Sequence, residues 1–466
     1  MIADLKPYPE YKESGQEWLG HVPKHWELSP GHAAFDKRKI PNHGLKENTV
    51  LSLSYGRIKV KPTDKQHGLV PESYETYQIV DEGNIIIRGT DLQNDHTSLR
   101  IGLVRNRGII SSAYLCLQCR DTVTPEYGYQ ILNTFDLTKA IYRYGSGLRQ
   151  NLDHGEIKRL PIFLPPVSEQ AAIVRFLDHW NGRLEKAIRS KRRVIALLQE
   201  QKQAIIHRAV TRGLDPNVKL KDSRIPWLGE IPQHWGISFL KMRYSVELGK
   251  MLDAKRITGR HLIPYLRNRD VQWDKVRVED LPLMDIVPSE FSRYTVKKGD
   301  LLVCEGGQVG RCAFWNNELP ICGYQKALHR IRANDPTRDV PRFFFYQMNL
   351  AAGLGVFAAD GNENTIAHLT CEKLRSYRFP FPPFEEQEEI ARFLDVELQT
   401  LNTAIARFER EITLLREYRT RLTADVVTGK LDVRAAAAQL PEEAEDEPLP
   451  DPETPEEETE LEEFAE

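Results

Sequence analysis

Three pairs of matching segments divide this 466-residue chain into two copies of one unit, and that repetition limits its folding more than any other feature. Trp18-Leu19-Gly20-His21-Val22-Pro23-Lys24-His25-Trp26 returns 209 positions later as Trp227-Leu228-Gly229-Glu230-Ile231-Pro232-Gln233-His234-Trp235. Leu164-Pro165-Pro166-Val167-Ser168-Glu169-Gln170, followed by Phe176-Leu177-Asp178, returns as Phe381-Pro382-Pro383-Phe384-Glu385-Glu386-Gln387, followed by Phe393-Leu394-Asp395, at an offset of 217. Val210-Thr211-Arg212-Gly213-Leu214-Asp215 and Val427-Thr428-Gly429-Lys430-Leu431-Asp432 keep the offset at 217. From Pro-Pro to Leu-Asp no residue is gained or lost, whereas the stretches from His-Trp to Pro-Pro differ by eight residues. An element held to one length behaves as a spacer, and the variable stretches behave as exchangeable heads.

The spacer reads as a long helix that starts after Pro-Pro, where helix boundaries are favoured. Positions 173, 177, 180, 184, 187, 191, 194, 198, 201 and 205 step by four and three, and eight of the ten are apolar or aliphatic in each copy. A heptad seam held over five repeats predicts coiled-coil pairing. The expected pairing residues are Leu177, Trp180, Leu184, Val194 and Leu198 in the first helix, and Leu394, Leu401, Phe408, Leu415 and Leu422 in the second. At 1.5 Å per residue each helix runs ~60 Å, longer than a single domain needs. Two copies of one seam most simply pair with each other about a pseudo-two-fold axis, which makes them antiparallel with a head at each end. No third His-Trp segment follows the second helix, so the N-terminal copy is expected to pack near that helix's end. The fold class is therefore α+β: two strand-rich heads in tandem, each followed by a long α-helix, the helices forming an antiparallel coiled coil.

The near-neutral total hides a charge asymmetry that bears on what the heads bind. Residues 441–466 hold 14 of the 67 acidic residues and no Lys or Arg, so the 64 basic residues leave +11 on residues 1–440. A body of that sign suits a polyanion. The tail itself has a composition that reads as disordered. Residues 27–163 and 236–380 carry short apolar runs such as Ile85-Ile86-Ile87 and Leu301-Leu302-Val303, broken by Gly and polar turns, which read as strands. Basic residues there are interleaved with polar and aromatic ones, a mixture that lets Arg and Lys hold phosphates while Arg, Gln and Asn read base edges. The candidates in the first head are Tyr55, Arg57, Lys59, Arg88, Arg149, Gln150 and Asn151. Those in the second are Arg267, Arg269, Gln308, Arg311, Lys326 and His329. Two Gly-containing loops, residues 144–152 and 305–311, stand out as places where backbone and projecting side chains can approach a phosphate.

Catalytic signatures are missing. No GxxxxGK[ST] loop, HExxH pair or nucleophile-and-base motif occurs, and both Pro-Pro pairs follow apolar residues rather than the Asn or Asp of an amino-methylating enzyme. Cys116-Leu117-Gln118-Cys119 has no second pair at zinc-binding spacing and reads as core. The six cysteines form no disulfide framework, the N-terminus has no apolar signal core, and no 18-residue apolar run exists. A cytoplasmic binding protein, with no metal, no membrane and no chemistry of its own, is the expectation.

The residues also resemble a known family. Leu51-Ser52-Leu53-Ser54-Tyr55-Gly56, Pro71-Glu72-Ser73-Tyr74-Glu75-Thr76-Tyr77, Asp91-Leu92-Gln93-Asn94-Asp95, Gly145-Ser146-Gly147-Leu148-Arg149 and both Pro-Pro-x-x-Glu-Gln starts are similar to the specificity subunits of type I restriction-modification systems, to about residue 433. The resemblance implies two target-recognition domains, each reading half of a bipartite double-stranded DNA sequence, with the helices fixing the gap. It further implies two methyltransferase subunits docked on the helices, which bring S-adenosylmethionine and methylate adenine by base flipping. Restriction or translocase subunits are further partners that the resemblance implies. The expected layout is a first recognition domain over 1–166, a spacer helix over 167–213, a second recognition domain over 214–383, a second spacer over 384–433 and the acidic tail over 434–466. A DNA- or RNA-binding adapter outside restriction-modification is the alternative, and a purely structural coiled-coil protein would leave the basic heads without a task.

Overall fold

The computed structural model describes residues 5–61, 73–90, 92, 99–144, 151–252, 258–357 and 368–441. Its chain forms two bodies, one made of residues 1–190 and 411–466 and the other of residues 191–410. The acidic tail, expected over 434–466, is described only to residue 441, and there Arg434–Ala438 form a short helix with Ala437 and Leu440 buried; the remainder lies outside the described residues.

Each body holds one head, and the two heads share one plan. In the first, a four-stranded antiparallel sheet runs in the order Phe35–Arg38, Leu115–Cys119, Ile85–Ile87, Ile101–Leu103. In the second the order is Tyr244–Leu248, Leu328–Ala333, Leu301–Cys304, Cys312–Phe314. The strands Ile85–Ile87 and Leu301–Cys304 are buried along their whole length, which is why they read as unbroken apolar runs rather than as alternation. A 13-residue helix accompanies each sheet, Pro125–Leu137 and Pro341–Gly353, both with proline in the first turn, where its missing N–H costs nothing. The heads differ at their margins. The first adds the hairpin Leu51–Ser54 with Arg57–Val60, the second a small sheet in the order Leu283–Asp285, Leu262–Leu266, Gly323–Tyr324.

The two ends of each head are tied together. Glu27–Pro30 pairs antiparallel with Pro161–Leu164, and Gly236–Phe239 with Arg378–Phe381, so the head begins and finishes beside the start of a long helix. Those helices are Val167–Arg212, 46 residues, and Phe384–Val427, 44 residues. The repeated motifs make the junction. In the second body the buried Trp235 donates its Nε1–H to Glu386 Oε1 at 3.0 Å, and His234 Nε2 lies 2.8 Å from Glu386 Oε2. In the first, Trp26 Nε1 and the Tyr8 hydroxyl both donate to Glu169 Oε1 at 2.7 Å, with His25 Nε2 2.8 Å from Oε2. Lys12 and Lys221 donate to the carbonyls of the same two tryptophans. The adjacent glutamines finish the joint. Gln170 Nε2 donates to the Pro165 and Thr122 carbonyls while its Oε1 accepts from Thr124 N, and Gln387 repeats this with Pro382, Arg338 and Val340.

The same tryptophans sit on the far end of the other helix. Gly429 ends the second helix at φ +74°, and a Cβ there would lie 2.4 Å from Pro23 and 3.1 Å from Trp26. Gly213 ends the first at φ +72° under Pro232 and Trp235. The Tyr11 hydroxyl donates to the Gly429 carbonyl at 3.1 Å and Lys6 bridges to Asp432, so the N-terminal His-Trp copy does pack at the end of the last helix. Each body thus joins the start of one long helix to the end of the other.

Within each body the helix segments lie side by side. Phe176 and Leu177 share a core with Leu422 and Val426, and Arg419 donates to Glu185 at 2.8 Å. In the second body Ile206 and Val210 share a core with Ile390 and Leu394, Lys202 donates to Asn402 at 2.8 Å, and the Lys191 ammonium stands 5.3 Å over the Phe408 ring. Rising numbers on one helix meet falling numbers on the other, so these segments are antiparallel. Leu177, Leu394 and Leu422 are buried; Trp180, Leu184, Val194, Leu198, Leu401, Phe408 and Leu415 are half-buried. The strict heptad drifts from the real seam. Ile188, Leu398 and Ile412 are buried one place after the heptad positions 187, 397 and 411, because a 3.6-residue turn falls behind a 3.5-residue repeat.

The clamp glutamates differ in burial, with side chains 4% and 26% exposed. An orphaned buried donor costs about 1–3 kcal/mol. Glu169→Ala, which strands Tyr8 and Trp26, should therefore cost about 3 kcal/mol in urea unfolding and Glu386→Ala about half that.

Candidate nucleic-acid interface

Each head brings two loops to one place. The turn that follows the central strand is bonded to the segment entering a short helix: Leu152 N donates to the Gly89 carbonyl at 2.7 Å, and Leu369 N to the Glu305 carbonyl at 2.8 Å. Residues 152 and 369 are 217 apart, the offset of the repeat. The contact is tight in the first head, where a Cβ on Gly89 would lie 2.0 Å from the Leu152 carbonyl oxygen. The short helices behind it, His154–Arg159 and Cys371–Ser376, are capped by Asp153 and Thr370.

In the second head several exposed polar groups converge on this turn. Gln308 is exposed in the loop between the strands Leu301–Cys304 and Cys312–Phe314. Gly310 closes that loop at φ +83°, and a Cβ there would meet the Phe357 ring at 2.5 Å. Arg269 is exposed next to Asn268, whose side-chain amide donates to the Gly306 carbonyl at 3.0 Å. Lys326 is exposed beside Ala327, whose carbonyl accepts from Glu305 N. The exposed His368 ring lies 3.4 Å from where a Gly306 Cβ would stand. His368 is the residue that reading the sequence misses. The offset of 217 carries Asn151, an expected contact, directly onto it.

The first head presents a related set. Tyr55 and Gly56 form the two-residue turn of the hairpin at φ +47° and +73°, and Gly56 packs against Leu99, next to the loop after Ile85–Ile87. Arg57 and Lys59 alternate on the solvent side of the strand while Ile58 faces a small core. Arg57 also lies 3.5 Å from Glu185 on the long helix. Arg88 is half-buried at the root of the loop and Asn151 is exposed. Arg149 and Gln150 lie outside the described residues, as do Asp91, residues 93–98 and the 145–150 part of the Gly-rich loop.

Burial removes one expected contact, and hydrogen bonds within the head engage two more. His329 is fully buried, its Nε2 2.6 Å from the Leu369 carbonyl, and belongs to the core of the sheet. Arg267 bonds to Asp270 at 2.8 and 2.9 Å, which spends its fork on a buried carboxylate. Arg311 turns inward to Asn268, donating to its carbonyl at 3.1 Å and its Oδ1 at 3.0 Å. Cys116 and Cys119 lie in a sheet strand, and burial pushes their thiols up to about 11 and about 12, as core cysteines behave. Among the described residues no helix is long and apolar enough to cross a membrane.

This architecture has known counterparts. Residues 246–411 match the family model described as the type I restriction modification DNA specificity domain. A Methanocaldococcus jannaschii protein assigned as the MjaX type I restriction enzyme specificity subunit is 24% identical over 462 residues, covering 93% of this chain and 100% of its own. The MjaVIII specificity subunit of the same organism is 20% identical over 339 residues, covering 70% of this chain and 75% of its own. Among solved structures, a chain from a study of complex assembly and conformational transition in the type I R-M system shares the fold, with TM-score 0.63 and 16% identity over 88% of this chain and 99% of that one.

Burial holds the His329 imidazole below the usual histidine range. As pH falls through about 6.5 the unfolded chain takes up a proton that the folded one refuses, so stability drops on the acid side. The urea midpoint should fall between pH 7.5 and 5.5, and His329→Gln, which keeps an N–H donor, should flatten that slope.

Proposed function

We infer that this chain, which carries a type I restriction-modification DNA specificity domain, is the sequence-reading subunit of such a complex. The observation that carries the reading is the duplication in three dimensions: two heads of one strand order, each tying the turn after its central strand to a segment that carries an exposed Asn151 or His368, positions related by the repeat offset of 217. Each head reads one half of a bipartite double-stranded DNA target. Arg57 and Lys59 in one head, and Arg269 and Lys326 in the other, hold phosphates, because long cationic side chains on exposed turns neutralise backbone charge without reading sequence. Gln308 and Asn151 have the paired donor and acceptor that match an adenine edge. His368 and Tyr55 add aromatic surface beside them.

The long helices set the gap between half-sites and carry the partners. Leu197, Phe393, Val396 and Leu414 leave large apolar surface exposed on them, which suits docking of two methyltransferase subunits in the cytoplasm. Those subunits bind S-adenosylmethionine and methylate the flipped adenine, and restriction or translocase subunits complete the nuclease form. This chain supplies address rather than chemistry.

Selection of bound duplexes from a random pool, using the chain co-purified with its methyltransferase subunit, should enrich two short motifs at one separation. Inserting a heptad into each long helix should change the separation and leave both motifs as they were. One motif, or salt-dependent binding with none, points instead to an adapter outside restriction-modification. Arg269→Ala and Lys326→Ala should each lower the slope of log K against log salt by about 1 with the motifs unchanged, whereas Gln308→Ala should cost about 1–3 kcal/mol and relax one motif.

A further inference from the structure

The two heads differ in the sequence of their loops, yet each loop is held from beneath by an arginine at the same place in the fold. Arg100 directly precedes the outer strand Ile101–Leu103, and Arg311 directly precedes its counterpart Cys312–Phe314. Both direct hydrogen bonds inward, Arg100 from full burial and Arg311 from a half-buried position. Arg100 is fully buried, and its guanidinium donates to the Thr90 carbonyl at 2.7 Å, the Arg88 carbonyl at 3.3 Å and the Tyr142 hydroxyl at 3.3 Å. Its backbone N–H donates to the buried Asp136 at 2.6 Å. Arg88 and Thr90 are the root of the first head's loop, and Leu92, two residues on, is buried in the main core. In the second head Arg311 grips the carbonyl and Oδ1 of Asn268, and Asn268 passes the hold on through its amide to the Gly306 carbonyl at 3.0 Å.

Withdrawing a permanent cation from water to bond backbone carbonyls is costly, and a chain that needed only a stable turn has cheaper means. What the guanidinium offers is a planar group of fixed orientation: Nη1 and Nε of Arg100 hold two carbonyls and a hydroxyl, and Nη2 of Arg311 holds both Asn268 acceptors, an orientation that a freely rotating lysine ammonium does not fix. The acceptors it fixes here are the loop residues beside which Gln308 and Arg269, or Asn151, stand exposed.

We propose that Arg100 and Arg311 are positioning residues: Arg100 braces the loop root at Arg88 and Thr90, and Arg311 braces the turn at Asn268 and Gly306, so the selectivity of each half-site depends on an arginine whose hydrogen bonds run inward. This rests on the sequence-reading role inferred above. Loss of the brace lets the loop sample shapes that meet phosphates equally well but misalign the reading amides, so discrimination falls while non-specific binding persists.

The test compares wild type with Arg311→Lys and Arg100→Lys, each co-purified with the methyltransferase subunit, by random-duplex selection, competition between cognate and mutated half-sites, and salt titration. Arg311→Lys should blur one motif and reduce discrimination there by about tenfold or more, on the scale of one lost bidentate base contact. The other motif, the separation and the salt slope should stay as in wild type. Arg100→Lys should blur the opposite motif. Asn268→Ala, which cuts the relay with Arg311 in place, should blur the same motif as Arg311→Lys and decides the matter if a lysine variant does not fold. Both motifs intact in a folded variant would overturn the proposal. So would equal weakening of all sequences with a slope shallower by about 1, which marks a phosphate contact, or equal loss at both half-sites with a lower melting temperature, which marks general stabilisation. A wild-type pool without two motifs would sink the sequence-reading role itself, and the brace with it.

Discussion

A single carboxylate at the start of each long helix, buried in the first body and half-buried in the second, holds the repeated frame of each body together. Glu169 and Glu386 lie in the first turn, where the helix's positive end favours an anion, and each accepts the indole N–H of a tryptophan from the repeated His-Trp segment. That tryptophan in turn covers the glycine at which the other long helix stops. One residue pair therefore fixes the beginning of one helix, the end of the other and the entrance to the head between its paired terminal strands. The N-terminal copy is buried more deeply, since Tyr8 adds a second donor to Glu169 and burial with that bond drives the phenol well above its ordinary range.

Such a frame explains why the heads can differ. The junction uses the first and last strands of a head, its His-Trp segment and the glutamine that follows the glutamate, which also bonds to Thr122 and Thr124 or to Arg338 and Val340 inside the head, and the two heads differ at their margins, in a hairpin or a small sheet. Loops between those junction strands carry the exposed Gln308, Arg269 and Lys326, or Tyr55, Arg57 and Lys59. Constant joints and variable tips are what a reader of changing sequences requires.

Much of this was legible in the chain. The repeat offsets located the two long helices and tied the N-terminal segment to the far end of the second, because matched motifs at matched spacing leave few ways to close a duplicated chain. The helix seam was legible only to within one position, since Ile188, Leu398 and Ile412 follow the helix's own pitch rather than a strict heptad. The loop residues were legible as a class. Counting arginines near glycines cannot distinguish one that reaches for a ligand from one that supports the loop, and Arg267 and Arg311 were of the second kind.

The sequence by itself determined the duplication, the α+β plan, the pair of long helices and the closure of the ends, because periodicity and exact spacing are one-dimensional facts that survive folding. Only the tertiary structure decided which charged and polar groups remain available. His329 disappears beneath the Leu369 carbonyl, Arg100 and Arg311 turn under their loops, and His368 emerges at the position equivalent to Asn151 in the repeat. The reason is that burial depends on what the rest of the chain places overhead, and neighbours in sequence carry no information about that.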